Sequence, residues 1–480
     1  MSDPPTARST TIQADDGVPG ISIAAGSWER LLFRPVGLWV VFLLLLLFLA
    51  AIVIFGSAVR HQYTGGTKLG RFGPAVEAVA GFPSTARQAI FGLRGDKYDL
   101  AAAENRHAGA TGFSFAYAPG QRPELGYVLV NRYDGDRKRS VSELWDLNSQ
   151  RRVHTWDFGT VDEIWQRSRL ESDVDFRVDA RTTRFQSTHA LLDAEGRLLV
   201  AAYSPLVRAD ACSTLSLFQD STIYHHSMER DDAGNLWIPQ RIEPKTVDLG
   251  DARFWDDGLT QLSPDGEVMF ERSVTKILES NGLTHLVRGR GEAHFDPIHL
   301  NDIQPVLADG KHWRRGDLWL SLRNQSMVLL YRPSTDKVLW HRSGPWLHQH
   351  DVNVLDDHRI SVFDNHAMTV GVSDWVVRGS NRLLVADLDT GEVSSPWQSG
   401  FERLEIRTAT AGRGEAVGAE AFVEESEFGR LVQFTADGTI VWQYINRARD
   451  GKVYLLNWSR LVPRDLGDRA AAALRARRCG

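Results

Sequence analysis

The sequence predicts an all-β protein, a β-propeller of six blades, preceded by a single N-terminal transmembrane helix. Two recurring strand patterns after about residue 113 predict the propeller, and one long apolar stretch predicts the helix. The composition agrees, because 15 Trp and 41 Gly among 480 residues suit a protein of packed strands and many turns better than a helical one.

The first pattern is a hairpin of an apolar strand, a turn rich in Asp, Gly or Thr, and a return strand that often carries Trp. Examples are ELWDLNSQRRVHTW from Glu143, LTQLSPDGEVMF from Leu259, LLYRPSTDKVLW from Leu329, LLVADLDTGEVSSPW from Leu383 and LVQFTADGTIVW from Leu431. From the second example onward the starts lie 48 to 70 residues apart, and the longer first gap leaves room for a weaker unit around residues 201–217. Repeats of about 40–50 residues are typical of four-stranded propeller blades.

The second pattern interleaves with the first: a histidine, about five strand residues, an acidic turn and another strand. It begins at His189, His226, His299 and His350. Because the first strand of each propeller blade lines the central channel, we expect these histidines to converge on one axis. The neighbouring polar residues join them as candidates: Tyr224, His225, Asn301, Arg323 and His348.

The stretch from Pro345 to His366, PWLHQHDVNVLDDHRISVFDNH, is the most informative part of this set. His348 and His350 stand two residues apart, which places them on one face of a strand. They fit either a hydrogen-bonded structural pair at a sheet edge or a functional site. Arg323, which follows the strand DLWLSLR, fits either a salt bridge or an anion ligand, because its planar fork binds two oxygens at once. Together, imidazoles and a guanidinium around a channel would bind an anion, and a neutral imidazole can attack an electrophile.

Several segments resemble the bacterial-type aryl sulfotransferases, the nucleotide-independent arylsulfate sulfotransferase family. They are FDPIHLNDIQPV, GDLWLSLRNQSMVLLYRPSTDKVLWHRSGPW and QHDVNVLDDHRISVFDN between His294 and His366, with YHHSMERDDAGNLWI upstream. The resemblance implies a six-bladed propeller outside the cytoplasm. It also implies transfer of a sulfuryl group from a phenolic sulfate to a phenol through a sulfated histidine, without a nucleotide donor or other cofactor.

The resemblance also implies roles for individual residues. His350, in QHDVNVL, matches the nucleophile, and His299 and Arg323 match the residues that hold the sulfate oxygens. His226 matches the remaining catalytic histidine, although the adjacent His225 leaves that register open by one residue. A second group is expected to contact substrate: His225, Asn301, His348 and His189. The membrane anchor and an insertion at Lys311–Gly316 depart from the soluble members, which leaves the natural donor and acceptor open.

Two other functions fit the same residues. A non-catalytic, membrane-anchored propeller that binds a ligand is one, since propellers host many functions. A metal-dependent hydrolase is the other, with His348 and His350 as a ligand pair to which His225 and His226 add. No metal is expected, because Arg323 would repel a cation.

The chain organisation follows from composition. We expect a disordered tail at 1–35, a transmembrane helix at 36–59, a linker with short helices at 60–110, the propeller at 111–462 and a basic tail at 463–480. The 24 uncharged residues from 36 to 59 suffice to span a bilayer, which takes about 20, and exceed a signal-peptide core of about 7–15. The flanking charges leave the orientation open, and the resemblance favours a propeller on the periplasmic or extracellular side.

Charge and cysteine content exclude some classes of function. The net charge of −6, with both signs interspersed, argues against a nucleic-acid partner. Cys212 and Cys479 are the only cysteines, so no cysteine metal cluster or disulfide framework is expected, and a single bridge between them stays open. The oligomeric state is not predicted.

Overall fold

The structure is a computed structural model that describes residues 35–63, 68–76, 78–80, 82, 100–102, 104–168, 170, 181–201, 204–249, 254–289, 295–370, 373–377 and 379–479. The chain divides into two compact units, Met1–Gly95 and Asp96–Gly480. Most of the expected N-terminal tail and much of the expected linker with short helices lie outside the described residues.

The first unit contains helix α1 (Leu38–Tyr63), whose apolar side chains are exposed. Its segment Leu38–Gln62 is long and apolar enough to cross a membrane. The helix therefore begins two residues after the start of the predicted span and continues a few residues beyond its expected end.

The second unit is built from antiparallel β-sheets. Its strands, in chain order, are β1 (Gly112–Phe115), β2 (Tyr127–Asp134), β3 (Arg139–Asp146), β4 (Arg151–Asp157), β5 (Thr188–Leu192), β6 (Leu198–Ala201), β7 (Leu206–Ala209), β8 (Leu215–Gln219), β9 (Ile223–Tyr224), β10 (Glu229–Arg230), β11 (Leu236–Arg241), β12 (Asp257–Leu262), β13 (Val268–Ser273), β14 (Leu300–Pro305), β15 (Leu318–Leu322), β16 (Met327–Arg332), β17 (Lys337–Ser343), β18 (His350–Val354), β19 (Arg359–Asp364), β20 (Ala367–Val370), β21 (Ser373–Val376), β22 (Arg382–Asp387), β23 (Val393–Ser394), β24 (Arg413–Val417), β25 (Glu420–Glu425), β26 (Arg430–Thr435), β27 (Ile440–Ile445) and β28 (Arg460–Val462).

The helices of this unit are short and lie between strands, apart from the last. They are α2 (Val161–Arg167), α3 (Val274–Ser280), α4 (His285–Arg288), α5 (Gln398–Arg403) and α6 (Arg464–Ala476), with 3₁₀ turns at Arg323–Gln325, Pro333–Thr335 and Ser426–Phe428. A further 3₁₀ turn, Gly70–Phe72, belongs to the first unit.

The strands form a six-bladed propeller, as the sequence predicts. From the channel outward, blade 1 is β28-β2-β3-β4, blade 2 is β5-β6-β7-β8 and blade 3 is β10-β11-β12-β13 with β9 also on β11. Blade 4 is β14-β15-β16-β17, blade 5 is β18-β19-β22-β23 with the hairpin β20-β21 inserted, and blade 6 is β24-β25-β26-β27-β1. Both ends of the unit therefore close the ring, because β28 pairs with β2 and β1 pairs with β27.

The two sequence patterns correspond to two hairpins in each blade. The Trp-bearing hairpins are the outer pairs, such as β16-β17 and β26-β27, and the weak unit is β7-β8 of blade 2. The histidine-led hairpins are the inner pairs of blades 2 to 5. Apolar side chains fill the space between blades: Trp319 and Val328 of blade 4, for example, belong to one buried cluster with Val352 and Ile360 of blade 5.

The C-terminal segment, expected to be a basic tail, forms the 13-residue helix α6. Its Gly467, Ala470, Ala471 and Leu474 are buried, and Ala470, Ala471 and Leu474 pack into the apolar cluster shared by blades 1 and 2. A disulfide joins Cys479 to Cys212 in the β7-β8 turn, with a Cα–Cα distance of 5.4 Å. The tail is therefore attached to blade 2.

Candidate functional site: a histidine-lined channel

Four histidines near the starts of inner strands have a left-handed backbone. Their φ angles are 53° at His189, 56° at His226, 53° at His299 and 52° at His348. Such a conformation costs a non-glycine residue about 1–3 kcal/mol, and histidine is among the side chains that adopt it more often. The same sharp turn therefore leads into the inner strands of blades 2, 3, 4 and 5 and brings an imidazole to the channel.

His350 differs from this group in backbone conformation and in register. It is the first residue of β18 and pairs with Phe363, whereas His299 lies one residue before the first paired residue of β14, Leu300. The left-handed position in blade 5 belongs to His348 instead. His350 therefore does not occupy the position of His226 and His299, although the sequence pattern predicts that it does: it lies two residues after the left-handed His348, where blade 4 has Asn301.

The His350 ring is held by Asn365. Its Nδ1 lies 2.6 Å from the Asn365 side-chain oxygen. The Asn365 amide nitrogen donates to the carbonyls of Thr408 and Ala411, so its oxygen must be the atom that faces the ring. His350 therefore carries its proton on Nδ1, which leaves the lone pair on Nε2. Burial, and then the charge of Arg323, lower the pKa of His350 to about 3, so the ring is neutral at physiological pH.

The His299 ring is held by a carboxylate. Its Nδ1 lies 2.5 Å from Asp296 Oδ2, and about a quarter of its side chain is exposed. Asn324 fixes this short segment from the neighbouring strand end, because its amide nitrogen donates to the Asp296 carbonyl at 2.7 Å. His299 therefore keeps Nε2 for the channel and has a negative charge behind it.

Arg323 lies beside this pair. It has left β15 and begins a 3₁₀ turn, so strand alternation, which left its direction open, does not apply to it. Its backbone N–H donates to the His299 carbonyl, and its Nη1 donates to Asn324 Oδ1 at 2.9 Å. Its positive charge acts on His350, so the guanidinium lies within electrostatic range of that ring.

His226 contacts both His225 and His299. Its ring lies 4.7 Å from that of His299, edge to face, and its Nδ1 is 2.8 Å from His225 Nδ1. His225 Nε2 in turn lies 3.5 Å from Asp257 Oδ1. Burial, and then the neighbouring histidines His299 and His225, hold the pKa of His226 well below its usual range. This geometry distinguishes the two residues that sequence left interchangeable: His226 contacts His299, and His225 lies between His226 and Asp257.

The other candidates surround these three histidines. The ring centroid of His189 lies 4.2 Å from that of Trp458, with the two planes tilted by 31°, and burial lowers the pKa of His189 strongly. His189 and His348 both lie close enough to His350 for a positive charge on one ring to disfavour protonation of the other. Asn301 is fully buried and donates to the backbone carbonyl of Gln349 at 2.8 Å, which ties β14 to the start of β18.

Tyr224 is fully buried, and its hydroxyl lies 3.2 Å from Ser221. Among the described residues, neither Tyr224 nor Asn301 forms a hydrogen bond with another candidate side chain.

Sequence reasoning missed the residues that orient the rings. Asn365 lies inside the segment QHDVNVLDDHRISVFDN, and its place at the end of the strand paired with β18 was the available signal. Asp296 precedes His299 by three residues, and Asp257 lies on a different strand of the blade that carries His225, so neither carries a local pattern. Metal ligation by the channel histidines has no support in the described residues, where the one group of three convergent metal-ligand side chains is Asp356, Asp357 and His358.

The architecture and the site define a six-bladed propeller with a channel lined by histidines and an arginine. A family model for arylsulfotransferases (ASST) matches residues 206–447, half of the chain, and these residues include every channel candidate except His189. The chain belongs to the arylsulfotransferase family, which supports aryl sulfotransferase activity in general.

Comparisons with other proteins add only distant likenesses. A Bacteroides caccae protein of unknown function has a TM-score of 0.40 and 10% identity, covering 69% of this chain and 98% of its own. A streptogramin B lyase has a TM-score of 0.35 and 12% identity, covering 73% and 98%. Neither likeness bears on function, and no curated protein matches the sequence at a significant level.

Proposed function

We propose that this protein is a membrane-anchored aryl sulfotransferase that works by a ping-pong mechanism through a sulfated His350. It takes a sulfuryl group from a phenolic sulfate ester and passes it to a phenolic acceptor. The observation that carries the proposal is the Asn365 contact, which leaves the buried, neutral His350 with its lone pair on Nε2.

In the first half-reaction, His350 Nε2 attacks the sulfur of the aryl sulfate. An N–S bond forms, the S–O bond to the aryl group breaks, and the bond's electron pair leaves on the phenolate oxygen. His299, which enters this step protonated and is backed by Asp296, gives that oxygen a proton. Proton transfer of this kind contributes about 10²–10⁴-fold to a rate.

In the second half-reaction, the acceptor phenol gives its proton to His299 while its oxygen attacks the same sulfur. The N–S bond breaks, and neutral His350 and protonated His299 are restored. No proton or sulfuryl group therefore passes between His350 and His299. Each half-reaction leaves both histidines in the protonation state that the other half-reaction requires.

Arg323 and His226 are assigned to the three sulfuryl oxygens, whereas His299, which the resemblance matches to an oxygen-holding residue, is assigned the proton transfer because Asp296 backs its ring. Like phosphoryl transfer, the reaction depends mainly on alignment and on neutralising charge that is spread over those oxygens. A guanidinium offers two parallel donors for that purpose. Arg323 is anchored through its backbone to His299, so the charge and the proton donor keep a fixed relation.

The location is part of the proposal. Helix α1 is assigned as a single-pass anchor, because it is long and apolar enough to cross a bilayer. The propeller is assigned to the periplasmic or extracellular side. The Cys212–Cys479 disulfide supports that side, because such bonds persist in oxidising compartments.

The test uses the full-length protein in detergent, with 4-nitrophenyl sulfate as donor and phenol as acceptor. We expect nitrophenol release that depends on phenol, and a mass gain of one sulfuryl group on the His350 peptide when phenol is omitted. His350→Ala should abolish both, whereas His341→Ala, which removes an exposed imidazole from β17, should leave both unchanged.

Other outcomes would favour the two remaining functions. Absence of transfer across a range of aryl sulfates, or full activity in His350→Ala, would leave a ligand-binding propeller as the better reading. Loss of activity on treatment with a chelator, with a stoichiometric metal in the untreated protein, would favour a metal-dependent hydrolase.

A further inference from the structure

The buried Arg413 contacts residues of blades 5, 6 and 1 around the channel and is not among the residues to which the resemblance assigns a role. It is the first residue of β24, the inner strand of blade 6, and is 4% exposed. Its Nε donates to Asp351 Oδ2 at 3.1 Å, and its Nη2 to Glu415 at 3.2 Å. Its Nη1 donates to the Ser459 carbonyl at 3.4 Å, just before β28 of blade 1.

Through Asp351, Arg413 fixes the backbone that orients His350. Asp351 directly follows His350 and has a left-handed φ of 50°, at the bulge where pairing passes from His350–Phe363 to Val352–Val362. Its Oδ2 accepts from Arg413 Nε and also from the Gly414 N–H at 3.0 Å. A bulge sets the direction of the side chains beside it, so the aim of His350 depends on a carboxylate held by blade 6.

On its other side, Arg413 reaches Trp458, the ring that contacts His189. The guanidinium carbon lies 5.5 Å from the Trp458 ring centroid. Trp458 has a left-handed φ of 67°, and its backbone N–H donates to the side chain of the buried Glu424 at 2.7 Å. The contacts run from Asp351 to Arg413, then to Trp458 and His189, and so connect blades 5, 6, 1 and 2.

The surrounding charges keep this arginine in place. Two further carboxylates lie near Arg413: Glu415 on its own strand, and Glu229 on the inner strand of blade 3. Asp302, on the inner strand of blade 4, lies near Asp351, and burial, followed by the charge of Asp351, raises its pKa to about 8. Arg460 of blade 1 supplies a second guanidinium, which binds Glu229 at 2.6 Å. His189 is influenced by the charges of Arg460 and Arg413 as well as by His350 and His226.

We propose that Arg413 is a positioning residue for sulfuryl transfer, which holds His350 through Asp351 and His189 through Trp458. The inference rests on the proposed function. Arg413 itself contacts neither donor nor acceptor; it fixes the relation between the nucleophile and the imidazole that interacts with it from blade 2.

Arg413→Lys tests the proposal, because lysine keeps the charge and loses the planar fork that makes these separate contacts. Arg430→Lys is the matched control: Arg430 is 3% exposed, begins β26 of the same blade and binds Glu425 at 2.5 Å. Both full-length variants are compared with wild type for urea midpoint, for kcat and KM, and for the rate of sulfuryl labelling of His350. We expect Arg413→Lys to lower kcat and the labelling rate at least tenfold with KM changed less than threefold, and Arg430→Lys to change the rates less than twofold.

A second readout does not need the transfer reaction. Diethyl pyrocarbonate acylates a neutral, accessible imidazole, so its rate on the His350 peptide reports the aim of that ring. It should change in Arg413→Lys and not in Arg430→Lys. If wild type transfers no sulfuryl group, the proposed function fails while this readout still decides the positioning.

Several results would overturn the inference. One such result is that Arg413→Lys and Arg430→Lys lose equal amounts of kcat and labelling rate while their urea midpoints fall equally. Another is that the rates of sulfuryl labelling and of acylation of His350 are unchanged in Arg413→Lys. If that variant does not fold, Asp351→Asn replaces it, since asparagine keeps an oxygen for Gly414 and loses the ion pair. Wild-type rates in folded Asp351→Asn would equally contradict the role.

Discussion

His350 and His299 lead into the inner strands of neighbouring blades, and their rings differ most in what holds them. Each has its Nδ1 within hydrogen-bond distance of a side-chain oxygen, at 2.6 Å from Asn365 and 2.5 Å from Asp296. The first acceptor is a neutral amide and the second is a carboxylate. Both fix the same ring nitrogen, and only the carboxylate stabilises a positive charge on the ring.

This difference suggests how one type of side chain supplies two chemical roles. A nucleophile must keep a free lone pair, so a buried ring held by an amide serves, and the lowered pKa of His350 agrees with it. A proton carrier must accept and release charge, so a partly exposed ring backed by a carboxylate serves. The assignment of nucleophile and proton carrier can therefore be tested by substituting the residues that contact the ring nitrogens, Asn365 and Asp296, rather than the histidines.

The largest effect is expected from Asp296→Asn. Asparagine keeps an oxygen for His299 Nδ1 and removes the charge that stabilises the protonated ring. We expect kcat to fall about 10²–10³-fold with phenyl sulfate, whose phenolate needs a proton, and less than tenfold with 4-nitrophenyl sulfate, whose leaving group does not. The measurement is a plot of log kcat against the pKa of the leaving phenol for both proteins.

The control is His350→Ala, which should lose activity equally with good and poor leaving groups. A uniform loss of kcat across leaving groups in Asp296→Asn would mean that Asp296 only positions His299. The difference between the Asn365 amide and the Asp296 carboxylate would then not determine which histidine carries the proton.

The blades and the channel candidates were predictable because they repeat along the sequence. Turns such as PDGE and LDTGE mark outer hairpins, and histidines at His189, His226, His299 and His350 mark inner ones, so the fold follows from periodicity. Helix α1 was predictable because its length and apolarity suffice without tertiary contacts.

The parts that could not be predicted depend on contacts between distant segments. Asn365 orients His350 only because two carbonyls, at Thr408 and Ala411 in the next blade, occupy its amide nitrogen. The ion pair of Asp351, the residue after His350, with Arg413 likewise joins positions 62 residues apart in the sequence. The packing of α6 depends on small residues such as Ala470 and Ala471, and the sequence around them indicates only a basic tail.

A moderate effect is expected on stability in acid. The pKa of His350 is lowered to about 3, whereas a histidine in an unfolded chain has a pKa of about 6.5. The unfolded chain therefore binds the proton more tightly, and stability present above about pH 6.5 is lost as the pH falls below it. Between pH 7.5 and pH 5, wild type should lose about 2 kcal/mol more free energy of unfolding than His350→Asn.

Urea denaturation of the full-length proteins at both pH values measures this difference. His341→Asn, at the surface of β17, controls for the loss of any titrating side chain and should follow wild type. An identical pH dependence in wild type and His350→Asn would mean that the ring is not buried in its neutral form.

The smallest effect on kcat is expected for Asp257, a carboxylate that acts on the channel through an intervening side chain. Asp257 reaches His226 only by way of His225, and its contact with His225 Nε2 is long, at 3.5 Å. Asp257→Asn keeps an oxygen for the Leu300 N–H, which Asp257 Oδ2 now accepts at 2.8 Å, so the fold should tolerate it. Because the His225 ring and a long contact separate this carboxylate from the channel, we expect kcat to fall less than tenfold, with little dependence on the leaving group. A leaving-group dependence as steep as that of Asp296→Asn would instead make His226 the proton carrier, and the contrast would then lie between His350 and His226.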